Sequence, residues 1–296
     1  MNTIAASGVN GSDRASWQKQ TLNVIGRILF WLLVLAVAFY TIAPFIYAIS
    51  ISFRTNSQVL VAARYLPEDP SLVNYQNLFG DADFMRTMLN SAIVASVSVL
   101  FSLVVGSFAA YALGRVRFRG RMIVLYTVLA MTMFPQISIL SGLFSIVNDL
   151  DIYGSTAALM FTYPIFTLPF TVWVLTSFFQ GLPGEIEQAA LVDGATPFQT
   201  FWRILVPLTA PALVTTGLLA FISAWNEYLF ALTFTLVSKT SQTVPVAIAN
   251  FGGYGYEVPV ADRAAATVVV TVPVLVLVLI FQRRIIEGLT AGAVKG

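Results

Sequence analysis

The chain contains no cysteine and no histidine in 296 residues. Thiol catalysis, disulfides, Cys/His zinc sites and any nucleophile served by an imidazole base are excluded by that composition. Charge is almost as scarce, at 10% of residues against roughly 25% in an ordinary soluble domain. The 16 basic and 14 acidic side chains leave a net charge of +2, too balanced for the footprint of a nucleic-acid binder. Lysine occurs only at Lys19, Lys239 and Lys295, none preceded by glycine. A phosphate-binding loop needs Gly-Lys-Ser or Gly-Lys-Thr, so the chain carries no such motif.

Apolar surface is what it has in excess. Hydrophobic residues make up 57% of the chain, and they come in long charge-free blocks: Ile28 to Phe53, Thr87 to Gly114, Met122 to Asn148, Ile152 to Gly184, Ile204 to Asn226 and Ala264 to Gln282. Each block holds a helix of about 20 residues, enough to cross the hydrocarbon of a bilayer. The expected fold class is all-α integral membrane, with six transmembrane helices. A seventh uncharged stretch, Thr240 to Tyr256, is interrupted by Pro245, Asn250, Gly252, Gly253 and Gly255 and reads as an external loop, because irregular backbone facing lipid is very costly. Met1 to Thr21 is polar and rich in Ser, Asn and Gly, and reads as a disordered leader. The first block exceeds the roughly 7 to 15 residues of a signal-peptide core, so it is expected to remain as a span. The organisation expected is an N-terminal segment over 1–23, a six-helix membrane domain over 24–287 and a tail over 288–296.

Orientation follows from where Lys and Arg fall between spans. With the N-terminus inside, the cytoplasmic set is Arg14, Lys19, Arg27, Arg115, Arg117, Arg119, Arg121, Arg203, Arg283, Arg284 and Lys295, against Arg54, Arg64, Arg86, Lys239 and Arg263 outside. Both termini are expected in the cytoplasm. The alternating arginines of Arg115-Val-Arg-Phe-Arg-Gly-Arg121 carry most of this bias, and fixing topology and meeting anionic lipid suffice to explain them. Pro135, Pro164 and Pro169 are expected to kink or break spans three and four. The small residues of Gly106-Ser-Phe-Ala-Ala110 allow close helix approach.

The connection between spans four and five, residues 182–207, is the least ordinary segment. Glu185 and Glu187 fall in the first turn of a short helix, where carboxylates favour the positive dipole end. Gly194 ends that helix. Thr196 then caps a second one, with Pro197 at its first position and Gln199 completing a capping box. Ala189 and Ala190 give the first helix a flat patch beside acidic side chains. Helices that merely rest on headgroups usually carry basic residues, so this one suits docking into another protein.

Glu187-Gln-Ala-Ala-Leu-Val-Asp-Gly194, followed by Ile204 and Pro207, resembles the EAA loop of ABC importer permeases. The tail Gly288-Leu-Thr-Ala-Gly-Ala-Val-Lys-Gly296 and Ala224-Trp-Asn-Glu-Tyr-Leu-Phe-Ala231 narrow the resemblance to the MalG-like, carbohydrate-importing group, and it covers essentially the whole chain. Gln188 stands where many relatives carry Ala. The resemblance implies a type I importer permease fold in which the first short helix, about Pro183 to Val192, is a coupling helix seated in a groove of an ATPase subunit. Glu187, Ala189, Ala190, Asp193, Gly194, Ile204 and Pro207 then belong to the coupling segment. The tail, through Leu289, Thr290, Gly292, Lys295 and Gly296, would reach the ATPase as well. The implied partners are a second permease subunit forming a heterodimer, a homodimeric ATPase, an extracytoplasmic sugar-binding protein, the sugar itself and membrane lipid. No cofactor is expected on this chain; ATP and magnesium would be used by the ATPase.

Glu227 directly follows the fifth charge-free block and is the acidic residue expected at membrane depth, where an ionisable group costs several kcal/mol unless it meets a cavity or a partner. With Trp225, Asn226 and Tyr228 beside it, it is a candidate for the translocation pathway; a polar partner within the bundle explains it equally well. On the outside, Phe251, Gly253, Tyr254 and Tyr256 belong to an aromatic loop expected to be flexible; the resemblance implies contact with a binding protein there, and a plain solvent loop explains it equally well. The alternative class is a stand-alone secondary transporter or channel, but such carriers usually need several intramembrane charges.

Overall fold

The computed structural model describes residues 11–61, 66–67, 69–251 and 259–293. Its first helix, α1 (Gly11–Ser52), continues through Pro44. Helix therefore begins where a disordered leader is expected: Arg14, Ala15, Gln18, Lys19 and Gln20 are good helix formers, and the apolar span supplies the nucleus that they extend. Two short helices follow, α2 (Asn56–Val61) and α3 (Val73–Gly80), and then the long α4 (Ala82–Arg115). Asp81 caps α4 by accepting hydrogen bonds from the amides of Asp83 and Phe84.

The third apolar block is divided between α5 (Arg121–Thr132) and α6 (Gln136–Asp149), bent by 95° at Pro135. The fourth is α7 (Thr156–Thr162) and α8 (Pro164–Gly181). Pro164 heads α8, while Pro169 lies inside it without ending it. Next come α9 (Glu185–Val192) and α10 (Pro197–Thr200), a π-helical turn over Phe201–Leu205, α11 (Val206–Leu208) and α12 (Ala210–Trp225). The chain finishes with α13 (Leu229–Thr235), α14 (Val244–Ala249) and α15 (Val260–Ala293).

Among the described residues, α1, α4, α7 with α8, and α15 are long and apolar enough to cross a membrane, and the two bent pairs bring the number to six where each pair is one span. The fifth crossing is not one continuous helix over the block Ile204 to Asn226. Residues 197–208 meet α12 at 73°, because Pro207 and Pro211 lack the amide hydrogens a continuous ladder needs. The Val206 amide reaches back five residues to the Phe201 carbonyl, which absorbs the misfit as a π turn. Thr240 to Ala249 is likewise not a plain loop. Pro245 lies in the first turn of α14, Val244 and Val246 are buried, the Val244 amide donates to Ser91 Oγ at 2.9 Å, and Asn90 Nδ2 donates to the Thr240 and Gln242 carbonyls.

The core is the α4–α8 pair, joined by α12. Ser102 and Thr167 share a hydrogen bond of 2.7 Å across the pair. A Cβ on Gly106 would lie 2.7 Å from Thr171 Cγ2, so the two backbones approach as the small-residue run suggests. Gly106→Val is expected to lower stability by about 1–3 kcal/mol through overpacking, read as an earlier thermal transition of the detergent-solubilised protein. By contrast α1 leans on α15 and otherwise presents Leu29, Trp31, Leu35, Phe39 and Tyr40 outward, an arrangement that only lipid or another apolar chain can cover.

Candidate functional site

The elbow between α8 and α12 is built by local rules. Leu182 leaves α8 in extended conformation and Gly184 precedes α9. At the far end the amides of Gly194 and Ala195 bond the carbonyls of Leu191 and Ala190, a closed helix terminus that requires left-handed backbone at Gly194, where φ is +81°. The capping box then forms as expected: Thr196 Oγ1 accepts from the Gln199 amide, and Gln199 Oε1 accepts from the Thr196 amide at 2.9 Å. Phe201 fixes α10 to the bundle by packing on Phe108 and Tyr111 of α4 and on Phe179 of α8.

Helix α9 has a distinct inner and outer face. Ile186 packs into the cluster of Ala110, Leu175, Phe179, Phe201 and Leu205, and Ala190, only 4% exposed, lies four residues on along the same side. The small-residue patch expected from Ala189 and Ala190 is therefore split. Ala189 faces out with Gln188, Leu191, Asp193 and Gly194, whereas Ala190 faces in. Val192 is 88% exposed, and Phe198 and Trp202 extend the apolar surface from the neighbouring turns. Ile204 is half-buried and Pro207 exposed, at the bend rather than on the outer face of α9.

Glu187 is not free. Its Oε1 accepts a hydrogen bond from Arg115 Nε at 3.0 Å, and the same guanidinium donates to the carbonyls of Leu182 at 2.9 Å and Pro183 at 3.4 Å. At least one arginine of the 115–121 cluster thus has a task beyond topology and lipid. No signal short of the fold connects two residues so far apart in the chain, so Arg115 is a site residue that sequence reasoning misses. Leu191 and Val192 are missed for a different reason: on a membrane protein, two more apolar residues attract no notice.

The second group lies where α12 ends. Glu227 is 7% exposed, with Oε1 accepting from the Phe230 amide at 2.9 Å and Oε2 from the Ala231 amide at 3.0 Å. Its carboxylate, one residue before the N-cap Tyr228, takes up first-turn amides of α13, charge against a positive helix end. The Tyr163 hydroxyl is buried toward Glu227 and Thr243 without reaching hydrogen-bonding geometry to either. Trp225 is buried and stacks on Phe221 at 5.7 Å. Of the four expected pathway residues only Asn226 and Tyr228 are exposed, and Asn226 Nδ2 donates to the Ile222 carbonyl at 2.8 Å.

Phe251 is half-buried. Its ring meets Phe84 edge-on and its carbonyl accepts from Arg263 Nε and Nη2 at 2.9 and 2.6 Å. Gly253, Tyr254 and Tyr256 lie outside the described residues. Leu289, Thr290 and Gly292 continue α15 as helix, so the expected tail begins as an extension of the last span; Lys295 and Gly296 lie outside the described residues. Among the described residues no group of three acidic side chains could hold a metal ion.

Residues 102–289 match the family described as binding-protein-dependent transport system inner membrane component. The trehalose/maltose transport system permease protein MalG of Thermococcus litoralis is 40% identical over 276 residues, covering 93% of this chain and 99% of that one. The trehalose transport system permease protein SugB of Mycobacterium tuberculosis is 39% identical over 87% of this chain and 93% of its own length. The sulfoquinovosyl glycerol transport system permease protein SmoH of Agrobacterium fabrum is 36% identical over 86% and 88%. In fold, the chain is similar to a bacterial ABC transporter involved in the import of the acidic polysaccharide alginate, with a TM-score of 0.74 at 22% identity over 95% of this chain and 99% of that chain. By family match and identity over nearly its whole length, this chain belongs to the binding-protein-dependent transport system inner membrane components, the permease subunits of ABC importers.

Proposed function

We propose that the chain is one of two transmembrane subunits of an ATP-driven sugar importer, forming half of the pathway for a disaccharide or oligosaccharide. The observation that carries this reading is the outer face of α9: a rod held to the bundle on one side and presenting Gln188, Ala189, Leu191, Val192 and Asp193 on the other. Apolar side chains left outward between acidic residues, on the arginine-bearing side of the spans, suit a protein groove better than a headgroup layer. The arginine bias puts that side, and both termini, in the cytoplasm. There the groove would belong to a homodimeric ATPase that holds the ATP and magnesium. A second, different permease subunit would cover α1, and an exported sugar-binding protein would deliver substrate to the opposite end, where Phe251 lies. The relatives named for trehalose, maltose and sulfoquinovosyl glycerol support a sugar as cargo.

The test is reconstitution in proteoliposomes with the second permease, the ATPase and the binding protein. Radiolabelled trehalose or maltose is expected inside only when ATP and all four components are present. Uptake by this chain alone, driven by an ion gradient, would replace the importer with a secondary transporter.

A further inference from the structure

We infer that Arg115 is a positioning residue that makes the end of α4 and helix α9 one mechanical body, so that displacement of α9 is transmitted directly into the bundle. The inference rests on the coupling role proposed for α9. Beyond its C-terminal tie through Ala195 to α10, which Phe201 anchors, α9 without Arg115 is held at its N-terminal end only by the packing of Ile186 and by Leu182-Pro183-Gly184, a link whose first residue is extended and whose last is glycine. Such a link lets a short helix pivot. The guanidinium closes it at three points: the Glu187 carboxylate on α9 and the carbonyls of Leu182 and Pro183 in the link. Those carbonyls stand just past the C-terminus of α8, where a cation is favoured by the helix dipole.

The geometry is prepared from the α4 side as well. A Cβ on Gly114 would meet Phe179 Cβ at 3.0 Å and the Thr176 carbonyl at 3.3 Å, so the last turn of α4 lies against the last turns of α8, which brings Arg115 within reach of the link. Side-chain exposures of 13% for Arg115 and 23% for Glu187 keep the pair largely out of water, where a bidentate-capable, always-charged donor holds its geometry. Lysine has three donors but all on one nitrogen, so it cannot reproduce a fork whose bonds leave from Nε, Nη1 and Nη2. Helix α4 in turn packs along α8 and α12, so a push on α9 enters two spans through Arg115.

The experiment uses the reconstituted complex and reads three quantities: co-purification of the ATPase, ATP hydrolysed, and sugar moved per ATP. Arg115→Ala is expected to assemble and to lower sugar moved per ATP about tenfold or more, the loss expected from one or two charge-assisted hydrogen bonds. Arg115→Lys should fall between Ala and the parent, and Arg117→Ala, at an exposed neighbour, should match the parent. An R115A complex with the parent's ratio overturns the inference. Should R115A fail to assemble, R115K decides: a lowered ratio in an assembled complex supports transmission, and an unchanged ratio overturns it. A parent complex that moves no sugar would count against the importer reading itself, which separates the two failures.

Discussion

Gly194→Asp is expected to insert and fold normally while uptake falls about a hundredfold or more, the effect of an uncompensated charge buried at a protein interface. The reasoning separates what the substitution does inside the chain from what it does outside. Inside, a Cβ at Gly194 meets nothing within 4 Å, so the added side chain creates no clash. The cost is the left-handed backbone at φ +81°, about 1–2 kcal/mol for an ordinary residue and less for Asp or Asn. That is too little to unfold a domain whose stability is typically about 5–15 kcal/mol. Outside, the new carboxylate stands beside Asp193 at the exposed tip of α9, where a docked ATPase would have to desolvate it. Gly194→Asn separates the two effects: similar in shape, tolerant of the same backbone and neutral, it should retain far more uptake than the aspartate. Membrane-fraction abundance, co-purification of the ATPase and sugar uptake are the measurements. Normal uptake by G194D would remove α9 from the coupling pathway.

Features with local causes are the ones that could be read from the chain. Charge-free blocks mark the spans because a bilayer tolerates little else, Pro135 marks the 95° bend because it breaks the ladder, and Thr196-Pro-Phe-Gln199 marks a cap because those side chains bond their own neighbours. Features made by distant partners could not be read. Nothing near Glu187 announces Arg115, whose contact is created by the close passage of α4 past α8. The inward turn of Ala190 follows from the docking of α9 through Ile186 onto side chains of other elements, so pattern alone gives it the same face as Ala189. Short helices defeat the span-counting rule for a related reason. Helices α13 and α14 are held by contacts with α4 and α7, not by a length that would cross the membrane alone. Residues 11–22 show the converse: a polar stretch without an apolar pattern continues a helix because the span after it has already met the cost of nucleation.

Glu227 is where the sequence signal and its structural resolution differ most, and its replacement should have the largest effect on stability. A carboxylate in a membrane segment invites a solute-binding role, yet both of its oxygens are occupied by amides of the helix that follows. Glu227→Gln keeps one carbonyl oxygen and replaces the other acceptor by a donor, so one buried amide loses its partner, at about 1–3 kcal/mol. Glu227→Ala strands both, for about 2–6 kcal/mol, and frees the start of α13 from the cluster that Phe230 and Phe234 fill with Tyr163, Val147 and Val246. Thermal unfolding in detergent should rank the parent above Gln and Gln above Ala. Transport kinetics distinguish this from a ligand role. A residue that grips sugar would, as Gln, raise the substrate concentration needed for half-maximal uptake and leave the melting temperature alone. A capping residue would lower the melting temperature and leave that concentration unchanged in the protein that remains folded. An E227A protein that melts with the parent would sink the capping role and return Glu227 to the pathway beside Asn226 and Tyr228.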